Sequence, residues 1–347
     1  KKINKEFFKN LMNEYIKVIQ SNKDLSIDEM QAAINKIMSG KAGNSEIKQF
    51  LLELNKKGIS EDEITGAALV MQQKSLKFDI GDGTNIDTCG TGGTGLHTFN
   101  CSTASSFVAA AGGAKITKHG NKAISSKSGS ADFLTEAGAD IGHDRDRLEY
   151  IFKQVGFVFL FAPLHHEAMK YVMPARQKIN DKTIFNLLGP HTNPCSAKRQ
   201  IIGVYNKKLL QTFCKVSKSL YMDHVLVVHG SDGLDEITIT GDTHVSELKN
   251  NEISEYIISP KEFGLKTASF DMISAISPRE SLMLVKEAFS GKNSPVQDMI
   301  ALNSGAALYI ADIVNSINDG VELSFELMRN GNAANKLESY VEASNQL

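Results

Sequence analysis

The 347-residue chain has no run of 18 or more apolar residues, so no helix of it is expected to span a bilayer. It also lacks an excess of either charge. The 38 Lys and Arg against 40 Asp and Glu leave a formal net charge of −2, which argues against a general nucleic-acid or membrane-surface binder. Cysteine is scarce. Cys89, Cys101, Cys195 and Cys214 form no C-x-x-C pair, so a zinc site or disulfide framework is not expected, and free thiols in a reducing cytoplasm are. No apolar core follows Lys1-Lys-Ile-Asn-Lys-Glu6, which argues against a signal peptide there. The opening residue is not Met; a trimmed chain or the C-terminal part of a longer polypeptide is the expectation. No repeat or low-complexity tract appears. What is present, 41% hydrophobic and 22% charged residues, is ordinary globular usage, and the length suits two domains.

Residues 1–76 read as all helix. Phe8, Leu11, Met12, Tyr15 and Ile19 recur at helical spacing, and Phe7, Ile16 and Val18 widen the stripe. Ser26-x-x-Glu29 and Ser60-x-x-Glu63 are capping boxes that open helices, and Ser45 to Lys57 reads as a helix ended by Gly58. Gly81-Asp-Gly83 is the expected linker. From about residue 80 strands alternate with helices. Strands are expected at 114–118, 157–161, 200–205 and 224–229, and helices at 130–137, 145–155 and 207–220. Residues 236–258 read as a small antiparallel excursion. From Ser277 the chain is helical again, with Ala301 to Ile317 apolar and buried. Short apolar strands alternating with helices imply a mostly parallel sheet covered on both faces, an α/β domain over residues 77–347.

The stretch Asp87-Thr-Cys-Gly-Thr-Gly-Gly-Thr-Gly-Leu-His-Thr-Phe-Asn-Cys-Ser-Thr103 holds four glycines and, from Thr91 on, five hydroxyls between the end of a strand and a helix that stops at Gly112-Gly113. Glycines let several N–H groups point at one anion, and the helix N-terminus behind them adds positive partial charge. Such a loop suits a phosphate. The spacing is not that of a Walker A loop. Gly90, Gly92 and Gly95 fit G-x-G-x-x-G, but the acid expected about 20 residues on is missing; Lys115, Lys118 and Lys122 stand there instead. A flexible turn without a ligand is the plain alternative.

Three further stretches carry polar chemistry. Lys118-His-Gly-Asn-Lys-Ala-Ile-Ser-Ser126 with Lys127-Ser-Gly-Ser-Ala-Asp132 concentrates donors after a strand of an open α/β sheet, where ligands bind; a solvated basic loop is its bland reading. Gly230-Ser-Asp-Gly-Leu-Asp-Glu236 places Asp235 and Glu236 beside a strand end. Such hard oxygens suit Mg²⁺, and a simple Asp-Gly turn is the alternative. Phe161-Ala-Pro-Leu-His-His-Glu-Ala-Met169 is followed by Pro174-Ala-Arg176. Arg176 offers a fork for a carboxylate or a surface salt bridge, and His165 and His166 are either bases or packing and capping groups.

Together these stretches resemble the anthranilate phosphoribosyltransferases. The pattern G-T-G-G-D-G with T-F-N-x-S-T stands here as Gly90-Thr-Gly-Gly-Thr-Gly95 and Thr98-Phe-Asn-Cys-Ser-Thr103. K-H-G-N-R-A-x-S-S with G-S-A-D stands as Lys118 to Ser126 and Gly129 to Asp132. Thr183-Ile-Phe-Asn-Leu-Leu-Gly-Pro190, Asn193-Pro194 and Asp232-Gly-Leu-Asp-Glu236 match as well. Thr94 replaces the usual Asp, and Lys122 the usual Arg. The resemblance covers nearly the whole chain. It implies a small N-terminal helical domain (residues 1–76, with part of 165–190 returning to it) and a large α/β domain of nucleoside phosphorylase/phosphoribosyltransferase type. It also implies a homodimer through the small domain, and it leaves open an amidotransferase partner or fused domain before Lys1.

By the same resemblance the substrates are 5-phosphoribosyl 1-pyrophosphate (PRPP) and anthranilate, in tryptophan biosynthesis. Gly90, Gly93, Thr94, Thr98, Asn100, Cys101, Ser102, Thr103, Lys118, His119, Gly120, Asn121, Lys122, Ala123, Ile124, Ser125, Ser126 and Ser130 would contact PRPP. Gly90, Asn121 and Arg176 would face anthranilate, and Ser102, Asp235 and Glu236 would hold Mg²⁺. An aromatic amine is already unprotonated at neutral pH, so no general base is required and none stands out. Lys118, loop N–H groups and Mg²⁺ would neutralise charge on the departing pyrophosphate. A pyrimidine-nucleoside phosphorylase and a non-enzymatic nucleic-acid-binding relative of the same fold remain the alternatives.

Overall fold

The protein is described here by a computed structural model covering residues 12–80, 84–123 and 127–346. The apolar positions expected at Phe7, Phe8 and Leu11 and the linker expected at Gly81-Asp-Gly83 lie outside the described residues. The chain divides into two compact units, Lys1–Leu76 with Pro163–Thr192, and Lys77–Ala162 with Asn193–Leu347.

The first unit is helical. Residues 12–20 form α1, followed by α2 (Ile27–Met38), α3 (Asn44–Lys57) and α4 (Glu61–Lys74). Both capping boxes form. Ser26 accepts from the Glu29 N–H and Ser60 from that of Glu63, while each glutamate reaches back to its cap. Gly58, with φ +91°, ends α3. Glu63 is fully buried, yet every role it plays is satisfied: it accepts from the Leu25 N–H (3.0 Å), the Ser60 N–H (2.9 Å) and the Lys57 ammonium (3.0 Å). Gly66 lets α4 press on α2, since a Cβ there would sit 2.6 Å from the Ile27 carbonyl oxygen. The segment from Pro163 adds single-turn 3₁₀ helices and the short helix Met173–Arg176, α9 in chain order. His165 donates from Nδ1 to the Leu76 carbonyl (2.9 Å), and burial lowers its pKa. It caps and packs, the plainer of its two expected roles.

The second unit carries a seven-stranded sheet in the order β3-β2-β1-β4-β5-β6-β7. Strands β1 (Asn85–Thr88), β2 (Lys115–Gly120), β3 (Phe157–Phe161), β4 (Arg199–Gly203) and β5 (His224–Gly230) are parallel. Their unbroken apolar runs fit burial on both faces. Leu226 and Val228 of β5 join the main apolar cluster, and Val225 and Val227, pointing the other way, are buried too. The expected antiparallel excursion is strands β6 (Thr243–Lys249) and β7 (Glu252–Ile258), which extend the main sheet from β5. Helices α5 (Cys101–Ala111), α6 (Ser130–Glu136), α7 (Arg145–Val155), α8 (Ala162–His165) and α10 (Leu209–Ser219) lie between the strands in sequence. Helices α11 (Pro278–Phe289), α12 (Pro295–Ile310), α13 (Ile317–Arg329) and α14 (Asn332–Asn345) follow them.

The apolar stretch expected from Ala301 to Ile317 is two helices, not one buried run. α12 stops at Ile310, Asp312 turns left-handed (φ +57°), and Ser316 caps α13 by accepting from the Asp319 N–H (3.1 Å). Ile313 in that turn is 37% exposed. The strand order doubles back at β1, whose neighbours are β2 and β4. In a parallel sheet ligands bind at such a switch point, beyond the carboxyl ends of the strands.

Candidate active site

Four loops leave the carboxyl ends of β1, β2, β4 and β5, and two of the expected stretches meet there directly. After β1 the glycine loop continues along β4: the Cys89 N–H donates to Ile201 O (3.0 Å) and that of Thr91 to Gly203 O (2.8 Å). Gly92, Gly93 and Gly95 have φ of +63°, +73° and +74°, which non-glycine residues rarely adopt. Gly90 is needed for a different reason. A Cβ there would sit 2.3 Å from an Asp235 carboxylate oxygen, and the same oxygen accepts from the Gly92 N–H at 2.8 Å. The carboxylate loop after β5 thus touches the glycine loop.

That carboxylate loop is built around Asp232. Its side chain accepts from the Leu234 N–H (3.0 Å) and the hydroxyls of Thr238 and Thr240 (both 2.6 Å). Asn303 on α12 clamps the residue after Glu236, taking the Ile237 N–H (3.0 Å) and donating to its carbonyl (2.8 Å). Asp235 is pressed onto Gly203, where a Cβ would lie 1.7 Å from its carbonyl oxygen. Glu236 accepts from the Ser102 N–H at the first turn of α5 (3.3 Å). Burial first, and then the neighbouring Asp235 charge, push its carboxyl up to about 8, against the pull of Lys118 and Ser102. Two adjacent carboxylates and a serine hydroxyl are a donor set that fits Mg²⁺, which takes one or two carboxylates and completes its shell with phosphates and water. Among the described residues no larger group of His, Cys, Asp or Glu gathers as a metal site.

Lys118 lies within β2 and is 2% exposed, so it is no part of a solvated basic loop. Its ammonium donates to Thr88 O (2.5 Å), the Thr88 hydroxyl (3.2 Å) and the Ser102 hydroxyl (3.3 Å). Beneath it, Asp87 is completely buried at the end of β1. It accepts from the His119 N–H (3.2 Å), Asn193 (2.8 Å) and Gln200 (3.2 Å), tying β1 to β2 and β4. Burial raises its pKa and the Lys118 charge opposes that rise.

The remaining expected residues divide by accessibility. Thr94 accepts from the Leu96 N–H (3.1 Å) inside its own loop, and Thr98 bridges to Ser274. Asn100 stands at the N-cap position of α5 with its side chain turned to the second loop, donating to Ser128 O (3.1 Å) and accepting from the Ser128 hydroxyl (2.7 Å). Cys101 and Thr103, expected to touch PRPP, are each 1% exposed, so both are packed into the core rather than open to solvent. His119 is buried too, whereas Asn121 and Lys122 are exposed and Gly120, Ala123 and Ser130 are half-buried. Asp132 holds this second loop, accepting from the N–H groups of Ala123 (2.8 Å) and Gly129 (2.9 Å). Ile124, Ser125 and Ser126 lie outside the described residues. In the helical unit, Arg176 at the end of α9 is half-buried and has no side-chain partner among the described residues; burial lowers its pKa.

Asp87, Asn303 and Gly203 were not legible as site residues. Only Asp87 carried a signal, an acid inside the otherwise buried strand Asn85-Ile-Asp-Thr88.

Residues 82–334 match the glycosyl transferase family a/b domain, and residues 13–75 match its helical bundle domain. An anthranilate phosphoribosyltransferase of Marinomonas sp. is 46% identical over 93% of this chain and 94% of its own length. The chain belongs to the anthranilate phosphoribosyltransferase family. A relative of that name from Vesicomyosocius okutanii is 43% identical over 96% of this chain and 98% of its own. Among solved structures, the Thermus thermophilus anthranilate phosphoribosyltransferase superposes with a TM-score of 0.90 at 33% identity, covering 96% of this chain and 99% of that one. The Saccharomyces cerevisiae enzyme in complex with PRPP and Mg superposes at 0.88 with 27% identity, covering 97% and 98%. The fold of this family, a small helical domain beside an α/β domain with a mostly parallel sheet, is the fold expected from the sequence. No described helix is long and apolar enough to cross a membrane.

Proposed function

We propose that the protein transfers the phosphoribosyl group of PRPP to the amine of anthranilate and releases pyrophosphate, a step of tryptophan biosynthesis. The observation that carries this reading is the direct contact of two distant stretches. Asp235 sits on the Gly92 N–H at 2.8 Å and Glu236 on the Ser102 N–H at 3.3 Å, which puts paired hard carboxylates against a phosphate-type loop. The names of the relatives point the same way.

The chain's own groups then divide the work. The N–H groups of Gly90, Gly93 and the first turn of α5, with Thr94, Thr98, Asn100 and Ser102, receive phosphate oxygens. The second loop, from Gly120 through Asn121, Lys122 and Ala123 to Ser130, takes further phosphate oxygens. Lys118, fixed beneath the Ser102 hydroxyl, supplies positive potential where the leaving group gains charge. Ser102, Asp235 and Glu236 hold Mg²⁺, which when bound offsets charge on the departing pyrophosphate. Arg176, without a side-chain partner among the described residues, is the group proposed to take the carboxylate of anthranilate, and Gly90 and Asn121 are likewise assigned to that substrate. The helical unit provides the surface of a homodimer, and the working compartment is the cytoplasm.

Anthranilate fluorescence should fall when protein, PRPP and Mg²⁺ are all present, and chelation should stop the loss. Thymidine phosphorolysis and retardation of DNA, run beside it, should show nothing. Turnover of thymidine, or DNA binding with no loss of anthranilate, would replace this reading with one of its two rivals.

A further inference from the structure

Ser281 lies on α11, far in sequence from every stretch discussed above, and is fully buried. Its hydroxyl serves Asn100 twice. It accepts from the Asn100 N–H at 2.9 Å and donates to the Asn100 side-chain oxygen at 2.8 Å. A serine hydroxyl has one donor, and here that donor is spent on Asn100. Asn100 in turn precedes the first turn of α5 behind the glycine loop and, through Ser128, holds the second loop. The chain just before α11 grips the last residues of the glycine loop, His97 to Phe99. The Phe99 N–H donates to Ile273 O (3.1 Å), that of Ala275 donates to His97 O (3.3 Å), and the Ser274 hydroxyl donates to the same oxygen (3.0 Å). The Ile276 N–H then donates to the Glu280 carboxylate (2.7 Å), fastening this seam to the first turn of α11.

We infer that Ser281 is a positioning residue for PRPP: by locking Asn100 it sets the spacing of both phosphate loops. The inference rests on the proposed transferase reading. Removing the hydroxyl strands the Asn100 N–H in a buried place and frees the amide to rotate, so the loops lose their common anchor. Ser281 touches no substrate on this account; its effect passes through Asn100.

The test compares the full-length wild type, Ser281→Ala, Asn100→Ala and the double variant. Wild-type loss of anthranilate fluorescence with PRPP and Mg²⁺ comes first; its absence overturns the transferase reading, whatever the variants do. Given that activity, Ser281→Ala should lower kcat/KM for PRPP roughly tenfold or more while the KM for anthranilate changes less than about twofold. The double variant should lose clearly less than the product of the two single losses, since Asn100→Ala already removes the side-chain half of the linkage and leaves only the backbone N–H to lose its acceptor. If the two losses multiply, or both KM values move together with a fall in Tm, Ser281 is only a packing residue and the inference is wrong. Should Ser281→Ala not fold, Ser281→Cys keeps the volume with a weaker donor, and the same split between the two substrates is required of it.

Discussion

Asp235 and Glu236 are adjacent in sequence but differ in surroundings. Asp235 receives an N–H from the glycine loop, while Glu236 is driven up to about 8 by burial and by its neighbour. On the proposed reading, Asp235→Asn with Glu236→Gln keeps the shape and removes both charges, so Mg²⁺-dependent turnover should vanish while circular dichroism stays as in the wild type. Near-normal turnover at limiting Mg²⁺ would remove the metal role. Arg176→Ala should act on the other substrate. Losing a charge-assisted contact to a carboxylate costs about 1.5–3 kcal/mol in kcat/KM for anthranilate, with the KM for PRPP little changed. A loss confined to PRPP would move Arg176 to the phosphate side. Thr94 accepts the Leu96 N–H through its hydroxyl, and an aspartate oxygen can accept it equally well. Thr94→Asp therefore keeps the turn and adds a charge that repels pyrophosphate when metal is short. Its kcat/KM for PRPP should rise more steeply with Mg²⁺ than the wild type's; superimposable curves would show that position 94 does not reach the phosphates.

The loops hold their form through residues placed by other elements. Gly203 ends β4 and receives the Asp235 backbone against its Cα, where a Cβ would lie 1.7 Å from the carbonyl oxygen. Gly203→Ala must push the carboxylates outward, and a displacement near 1 Å at such a site can cost about a hundredfold in kcat/KM. Unaltered kinetics in a folded Gly203→Ala protein would show that the loop adapts freely. This element also marks where sequence reading ends. Capping at Ser26 and Ser60, the stop at Gly58 and the parallel strands were legible because each depends on neighbours a few residues away, or on an apolar run. The glycine loop and the pair Asp235-Glu236 were legible as chemistry, since residue types alone reveal hard ligands and anion-binding backbone. Their contact was not, because it spans 143 residues. The roles of Asp87, Asn303 and Ser281 were hidden for the same reason: each is an ordinary polar residue until a distant partner is brought to it. Lys118 was legible as the end of a strand and as a donor, but charge pattern does not reveal that its ammonium is buried on Thr88 and Ser102. The break near Asp312 was missed because apolar content continues through a turn that Ser316 and backbone geometry create.

For the whole molecule, the raised Glu236 couples stability to pH. A carboxyl whose folded pKa lies above its unfolded value near 4.5 binds more protons when folded, so between about pH 4.5 and 8 stability falls as pH rises. The buried Asp87 is shifted in the same direction and adds to the trend. Without metal, the Tm should therefore decline across that window. Mg²⁺ should lift the upper end, and Glu236→Gln should flatten the profile; a metal-free Tm that climbs from pH 5 to 8 would contradict the assignment. The hydrogen bond from the Gly92 N–H to Asp235 reaches further still. The Asp235 carboxylate takes the N–H of Gly92, within the loop where phosphate oxygens are proposed to bind, and one N–H serves one acceptor well. A phosphate there frees the carboxylate for an ion, and an ion drawn to the carboxylate frees the N–H for a phosphate. The two ligands then raise each other's affinity by the same factor, as reciprocity demands. Calorimetric titration of pyrophosphate with and without Mg²⁺ should show that mutual gain, and Asp235→Asn should abolish it. Such a site behaves as a coincidence detector, answering to its two inputs together and weakly to either alone.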